Sequence, residues 1–239
     1  PTPLIEHPYK AKSSGSLPKA NIQRFHLKRD FYNQLSKFAL GHKSTIYHLL
    51  ICALTLYFAR ITQKDHIVIG TPSLNRSGAK FKEVLGMFIS LSPLSLKIDL
   101  EKNSIELLKL CAINLRDTYR HQRFPLNLIS KRLELIKNGR NTLFDLVVSF
   151  EKQEYSTPYG GATISAQQQF SGVARYPLAV TICEFHDDED VEIILEGSET
   201  AFSQQDLQFL SNRFCYILEQ ITSFPETPLR QIDLIPKTE

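Results

Sequence analysis

Apolar and polar residues alternate along this chain with two different periods, and the places where the period switches mark its elements. Ile22-Gln23-Arg24-Phe25-His26-Leu27 alternates every second residue, as a half-buried strand does. Phe31, Leu35, Phe38 and Ala39 then recur at three-to-four spacing, which predicts a helix with Asp30 as its N-cap and Gly41 as its stop. A second helix starts at Ser44 or Thr45 and runs from Ile46 to Ile61. Its Leu49, Leu50, Ala53, Leu54, Leu56, Tyr57 and Phe58 occupy most of the circumference, which places that helix at the centre of a core.

Ile67-Val68-Ile69 is a run of β-branched residues that asks for an extended backbone packed on both faces. Gly70, Pro72 and Gly78 follow, and they predict that the strand stops there and becomes a constrained loop carrying Thr71, Asn75 and Arg76. Met87 to Ile98 reads as a long strand with Ser90, Ser92 and Ser95 interleaved. Ser104 is the expected cap of an amphipathic helix through about Tyr119, on which Leu107, Leu108, Cys111 and Leu115 repeat. Pro125 opens a shorter helix, Leu126 to Leu135, and Asn138-Gly139-Arg140-Asn141 is a turn before a strand from Leu143 to Phe150. Tyr155 to Gly172, rich in Gly, Gln, Ser and Thr, reads as an exposed excursion of hairpin form. Tyr176 to Phe185 and Val191 to Glu196 are strands joined by the acidic turn His186-Asp187-Asp188-Glu189-Asp190. Ser203 starts the last helix, which ends near Phe224-Pro225. The expected fold is α/β of an α+β-like kind, a mixed sheet with helices packed on it.

Residues 1–20 hold four prolines and Ser13-Ser14-Gly15-Ser16 with little apolar periodicity, so they read as a linker or extended arm ahead of one folded unit over residues 21–239. The charge balance, 28 basic against 25 acidic side chains for a net +3, is mild, and its cations are scattered among acids. That pattern argues against nucleic-acid binding. No apolar run is long enough to span a bilayer and the first residues lack a secretory core, so a cytoplasmic location and no membrane partner are expected. Cys52, Cys111, Cys183 and Cys215 have no C-x-x-C spacing and read as free thiols, three of them on apolar faces. The acidic turn lacks the spaced ligands and glycine of a calcium loop, and no phosphate loop, dinucleotide fingerprint or hydrolase elbow is present.

Two residues admit competing readings. Arg76 either caps carbonyls of its own loop or faces a ligand. His121, at a helix end beside Gln122, either holds loop carbonyls or lines an entrance to a site; no carboxylate adjacent to it in sequence orients the ring. His26 and Asp30 keep the spacing of a catalytic His-x-x-x-Asp pair, but Phe31 stands where a tight turn needs glycine.

Ile69 to Arg76, Gly86-Met87-Phe88-Ile89-Ser90-Leu91-Ser92-Pro93-Leu94 and His121-Gln122-Arg123-Phe124-Pro125-Leu126 together resemble three successive core motifs of condensation domains from nonribosomal peptide synthetases. The resemblance covers almost the whole chain, and Arg140-Asn141 is similar to a reduced form of a further motif. It implies the C-terminal lobe of such a domain, one lobe of the chloramphenicol-acetyltransferase-like fold, with residues 1–20 as the inter-lobe linker. It also implies that Gly70, Thr71, Pro72, Asn75, Arg76, Ser90, His121 and Gln122 line a tunnel. Phosphopantetheine would be delivered there by peptidyl carrier proteins, with no cofactor or metal bound directly. The implied partners are the N-terminal lobe of the same domain, the carriers and an adjacent adenylation domain. The family's His-His-x-x-x-Asp-Gly motif is missing, so no catalytic residue is expected in this chain and the fragment alone is expected to be inactive. Ser90 stands where the family often has Asn, and so lacks that side chain's reach and second donor. A non-catalytic module that recruits a partner protein, and a coenzyme A-dependent acyltransferase lobe, are the rival expectations.

Overall fold

The computed structural model describes residues 4, 17–76, 79–140, 142–152, 160, 162, 167–237 and 239. Its elements in chain order are β1 (Ala20–Leu27), α1 (Arg29–Gly41), α2 (Ile46–Thr62), β2 (His66–Ser73), α3 (Ala79–Lys82), β3 (Ser90–Lys97), α4 (Ser104–Arg120), α5 (Leu126–Arg132), β4 (Leu146–Lys152), β5 (Leu178–Glu184), β6 (Val191–Ser198) and α6 (Gln204–Ser223). The six strands form one sheet in the order β1-β6-β5-β4-β2-β3. β4 runs parallel to β5 and to β2, and the remaining neighbours are antiparallel. The mixed sheet is therefore the architecture the alternation predicts.

The period-2 pattern sorts side chains to the two faces. Ile67, Ile69, Leu94, Leu96, Leu146, Val148, Val180, Ile193 and Leu195 enter the main core beneath the helices, while Val68, Leu91, Val147 and Ala179 point to a smaller cluster around Leu135, Leu143 and Phe144. Packing on both faces is what the Ile67-Val68-Ile69 run requires. α2 is the central helix, in contact with α1, α4, α6 and β2. Every residue from Leu49 to Ala59 on it is buried, and each fully buried Leu, Ile or Phe contributes about 1.5–3 kcal/mol.

Several boundaries differ from the sequence reading. β2 does not stop at Gly70 but continues through Pro72 to Ser73, paired throughout with β3. Its parallel pairing to β4 ends at Gly70 opposite Val147, so beyond that point the strand is a sheet margin, where proline is tolerated. Gly70 is required by close approach: a Cβ there would lie 2.4 Å from the Phe144 ring. β3 begins at Ser90 and not at Met87. The N-cap of α1 is Lys28, with Asp30 in the first turn, and Asn103 caps α4 in a reciprocal box with Glu106, displacing Ser104. Ser104 instead donates to the Ile221 carbonyl at 2.7 Å, tying α4 to the end of α6. Thr45 and Ser203 cap α2 and α6 as expected.

The acidic turn joins β5 to β6 as a hairpin, and its polar groups are engaged from outside. Lys28 pairs with Asp190, and Arg29 donates to the carbonyls of His186 and Glu189 and to the Glu184 carboxylate. No group of metal-binding side chains occurs among the described residues. Much of the expected Tyr155 to Gly172 excursion lies outside the described residues, as does the 1–20 arm apart from Leu4 and residues 17–20. Leu4 is buried, its N–H donating to Asp145. Cys52, Cys111 and Cys183 are buried and Cys215 half-buried, all as free thiols. No single helix among the described residues is long and apolar enough to cross a membrane.

Candidate functional site

The end of β2, the start of β3 and the last turn of α4 meet at one edge of the sheet. Because β2 continues past Gly70, Thr71 and Ser73 point toward the helices, where a strand exit would have left them in a loop. Thr71 is fully buried, its hydroxyl 2.9 Å from Tyr47 Oη of α2 and 3.1 Å from Tyr119 Oη of α4. Tyr47 also donates to the Val148 carbonyl at 2.8 Å and Tyr119 to that of Pro72 at 3.3 Å. With both phenolic protons directed at carbonyls, Thr71 is the remaining donor of a closed hydroxyl cluster. Burial raises the pKa of Tyr47 and of Tyr119, which keeps both phenols neutral.

Beyond Thr71, Ser73 Oγ lies 3.1 Å from Ser90 Oγ and 3.3 Å from Ser92 Oγ, and donates to the Ser90 carbonyl at 3.2 Å. Its one proton serves one acceptor. With that proton on the carbonyl, Ser90 and Ser92 donate inward and present only lone pairs outward. Ser90 is half-buried at the rim, placed to accept a hydrogen bond from a group beside the sheet.

Arg76 caps carbonyls of its own loop region, as the first of its two readings expects. Nη1 donates to the carbonyls of Phe81 at 2.6 Å and Val84 at 2.7 Å, Nη2 to that of Gly86 at 2.7 Å, and the guanidinium lies 4.3 Å from the Phe88 ring centroid. Phe81 packs edge-on against Phe88, and Arg123 stacks over Phe81. The side chain thus clasps the segment between α3 and β3. Asn75 occupies a left-handed conformation with φ 51°, tolerated by asparagine, and its N–H donates to Gln122 Oε1 at 3.2 Å. That bond joins the β2 exit to the turn after α4.

His121 is the C-cap of α4, exposed, with its backbone N–H on Thr118. Its ring makes no hydrogen bond among the described residues, so the reading in which the imidazole holds loop carbonyls is replaced by one in which the backbone does so. The eight predicted residues therefore gather at one edge but face three ways. Thr71 turns into the helical layer, Gly70 lies against Phe144 on the opposite face, and Pro72, Asn75, Arg76, Ser90, His121 and Gln122 follow the rim. Tyr47, Tyr119, Ser73 and Ser92 were missed by sequence reasoning, because their contacts link positions 17 to 101 residues apart. His26 is exposed on β1 opposite Glu192, far from this edge in strand order, and holds no nucleophile. Arg140 forms an ion pair with Asp145 at 3.0 Å, both side chains largely buried; Asn141 lies outside the described residues.

The wall is flanked by uncovered apolar residues. Leu85 is 98% exposed and Met87 93%, and Leu74, Ile89, Phe124 and Leu128 are exposed as well. Chemically the rim offers hydroxyl and carbonyl groups, and among the described residues no imidazole or carboxylate is hydrogen-bonded into it. Hydroxyl and carbonyl groups of this kind can orient a substrate but are not proton acceptors of the strength general-base catalysis uses, and the exposed His121 ring makes no hydrogen bond to them among the described residues.

A family model described as Condensation domain matches residues 3–239. The chain is 26% identical over 220 residues to tyrocidine synthase 3 of Brevibacillus parabrevis, covering 90% of this chain and 3% of that protein. It is 23% identical over 240 residues to bacitracin synthase 1 of Bacillus licheniformis, covering 98% of this chain and 4% of that protein. The chain thus spans less than a tenth of the length of these relatives. Among solved structures, a four-domain nonribosomal peptide synthetase, holo-AB3403 bound to AMP and glycine, superposes with a TM-score of 0.83 at 13% identity, covering 98% of this chain and 19% of that one. The condensation domain of the monacolin K polyketide synthase MokA superposes with a TM-score of 0.76 at 17% identity, covering 95% and 54% respectively. At these identities the structural likeness is one of fold.

Proposed function

Since the chain belongs to the condensation-domain family and has the chloramphenicol-acetyltransferase-like fold, we propose that it acts as the C-terminal lobe of a domain that joins two carrier-bound acyl groups through an amide bond. In this reading it is a wall and not the catalyst. The rim of Pro72, Asn75, Ser90 and Gln122, backed by the buried hydroxyls of Thr71 and Ser73, borders the tunnel in which an upstream thioester meets a downstream amine. Phosphopantetheine arms on peptidyl carrier proteins bring both groups, and an adenylation domain loads the downstream carrier. An N-terminal lobe supplies the imidazole and covers Leu74, Leu85, Met87 and Phe124.

The observation that carries this reading is the pairing of a hydroxyl rim into which no imidazole or carboxylate is hydrogen-bonded among the described residues with a broad uncovered apolar margin beside it. A self-sufficient active site needs a proton acceptor within hydrogen-bond reach of the nucleophile, and a soluble monomer rarely leaves such a margin open. The role of Arg76 in this reading follows from its clasp: it holds the 81–88 segment in shape for the lobe contact.

The reading is tested by mixing the 239-residue chain with aminoacyl carrier proteins, alone and together with a separately produced N-terminal lobe bearing His-His-x-x-x-Asp-Gly. The two lobes are expected to co-elute, and dipeptidyl thioester is expected from the mixture only. Turnover by the chain alone, or failure of the lobes to associate, overturns the proposal.

A further inference from the structure

On the outer side of the helical layer a groove of about 820 Å³ opens between the α1–α2 turn and α4. Ala112, Ile113, Leu115 and Tyr119 give it an apolar floor, and Lys43, Lys109, Arg116 and Arg120 border it, with no carboxylate among the lining residues. Arg120 pairs with Asp117, both exposed. Lys43 and Arg116 make no ion pair or hydrogen bond through their side chains among the described residues. Ser44 and His48 of the lining flank the N-terminus of the 17-residue helix α2, whose macrodipole favours an anion nearby.

A second observation at the same place points to a ligand. Ser44 lines the groove and is 4% exposed, and its hydroxyl is a buried side-chain oxygen with no hydrogen-bond partner. An orphan buried hydroxyl costs about 1–3 kcal/mol. Rotation about its Cα–Cβ bond toward the groove breaks no existing bond, because none exists. His48 adds a further donor. Its Nδ1 accepts the Thr45 backbone N–H at 3.1 Å, so the neutral ring carries its proton on Nε2, which has no partner among the described residues. Burial lowers the pKa of that ring and favours the neutral form. Lys43 itself is held in a left-handed conformation, φ 56°, by a turn in which Lys43 N–H donates to Leu40 and Ser44 N–H to Ala39. The donors are therefore mounted on a fixed backbone.

We propose that this groove binds an organic phosphate, with the phosphate at the α2 N-terminus among Lys43, Ser44, His48 and Arg116 and an aromatic or aliphatic body along Ile113 and Tyr119. Two cations and two neutral donors match the several oxygens of a phosphate better than the two of a carboxylate, and the apolar floor has no use for a bare ion. Tyr119 lines this groove while its hydroxyl serves Thr71, and the existence of the site is independent of the acyl-transfer reading.

Phenyl phosphate titrated into the ¹⁵N-labelled chain tests it, with inorganic phosphate and phenol as the separate head and body. Saturable shifts are expected at 42–48 and 109–120, with phenyl phosphate at least about tenfold tighter than either part. Lys43→Gln with Arg116→Gln should weaken binding about tenfold or more, and Ser44→Ala about two- to fivefold while raising the unfolding midpoint of the ligand-free chain, since the orphan hydroxyl is removed. Lys237→Gln with Lys64→Gln, which removes the same two charges elsewhere, should leave the affinity as it is. Shifts centred elsewhere, no saturation by about 20 mM, or unaltered binding in the folded double variant overturns the site.

Discussion

Gly70 and Arg76 sit six positions apart in one motif, and their side chains, or lack of one, serve packing. At Gly70 the Phe144 ring fills the space a methyl group would need, with its nearest carbon 2.4 Å from the ideal Cβ position. Gly70→Ala should therefore destabilise the chain by about 1–3 kcal/mol, the usual cost of overpacking. Urea unfolding checks this, and Phe144→Leu in the same background should recover part of the loss. A neutral Gly70→Ala would mean that the contact is not as tight as described. Such a role was not legible in the sequence, where Gly70 and Phe144 are remote and the glycine reads as a strand stop. Arg76 was half legible: the loop and its cation were plain, but the three carbonyls it serves are set by how the 81–86 backbone turns. The hydroxyl of Thr71 was placed in the site for an incomplete reason, since its partners Tyr47 and Tyr119 come from two different helices.

At the level of elements the pattern was most informative where burial alone decides. α2 was readable because an all-round apolar helix has one place to go, and β4, β5 and β6 because their runs are sheet interior. Caps were less readable, because adjacent polar residues compete for the same few amides. Asn103 outcompetes Ser104 through its box with Glu106, and Ser104 is drawn off by the Ile221 carbonyl. α2 and α4 are tied to β2 through their tyrosines as well as through apolar packing. Tyr47→Phe deprives the Val148 carbonyl of a donor and Thr71 of an acceptor. Its expected cost is about 1–3 kcal/mol. Tyr119→Phe should cost less, since its bond to the Pro72 carbonyl is longer at 3.3 Å. In a double-mutant cycle the two losses should not add, because both hydroxyls share Thr71; strict additivity would show that the cluster is not one unit.

For the molecule as a whole, the buried acids set an alkaline limit. Burial pushes the Cys215 thiol from 9.0 up to about 11 and that of Cys183 up to about 12. It raises the pKa of Tyr32, Tyr47 and Tyr119 in the same direction. These groups lose their protons at lower pH when unfolded than when folded. Above about pH 9 the unfolded chain therefore holds fewer protons, and stability falls as pH rises, by at most about 1.4 kcal/mol per unit for each group. Urea midpoints should be level from about pH 7 to 8 and decline from about pH 9 to 10.5. A flat profile across that range would show that these protons are not held by the fold.

The sheet itself is unevenly jointed. β4 pairs with β5 along seven residues and β2 with β3 along eight, yet among the described residues β2 meets β4 only at Ile69 with Leu146 and Gly70 with Val147. Within the sheet the hairpin bearing Thr71, Ser73 and Ser90 is thus joined to the larger part by two residue pairs among the described residues, with the Phe144 ring packed against Gly70 at that joint. Its place beside the sheet is therefore held as much by α4 and α2, through packing and the Tyr47 and Tyr119 hydroxyls, as by the strand ladder.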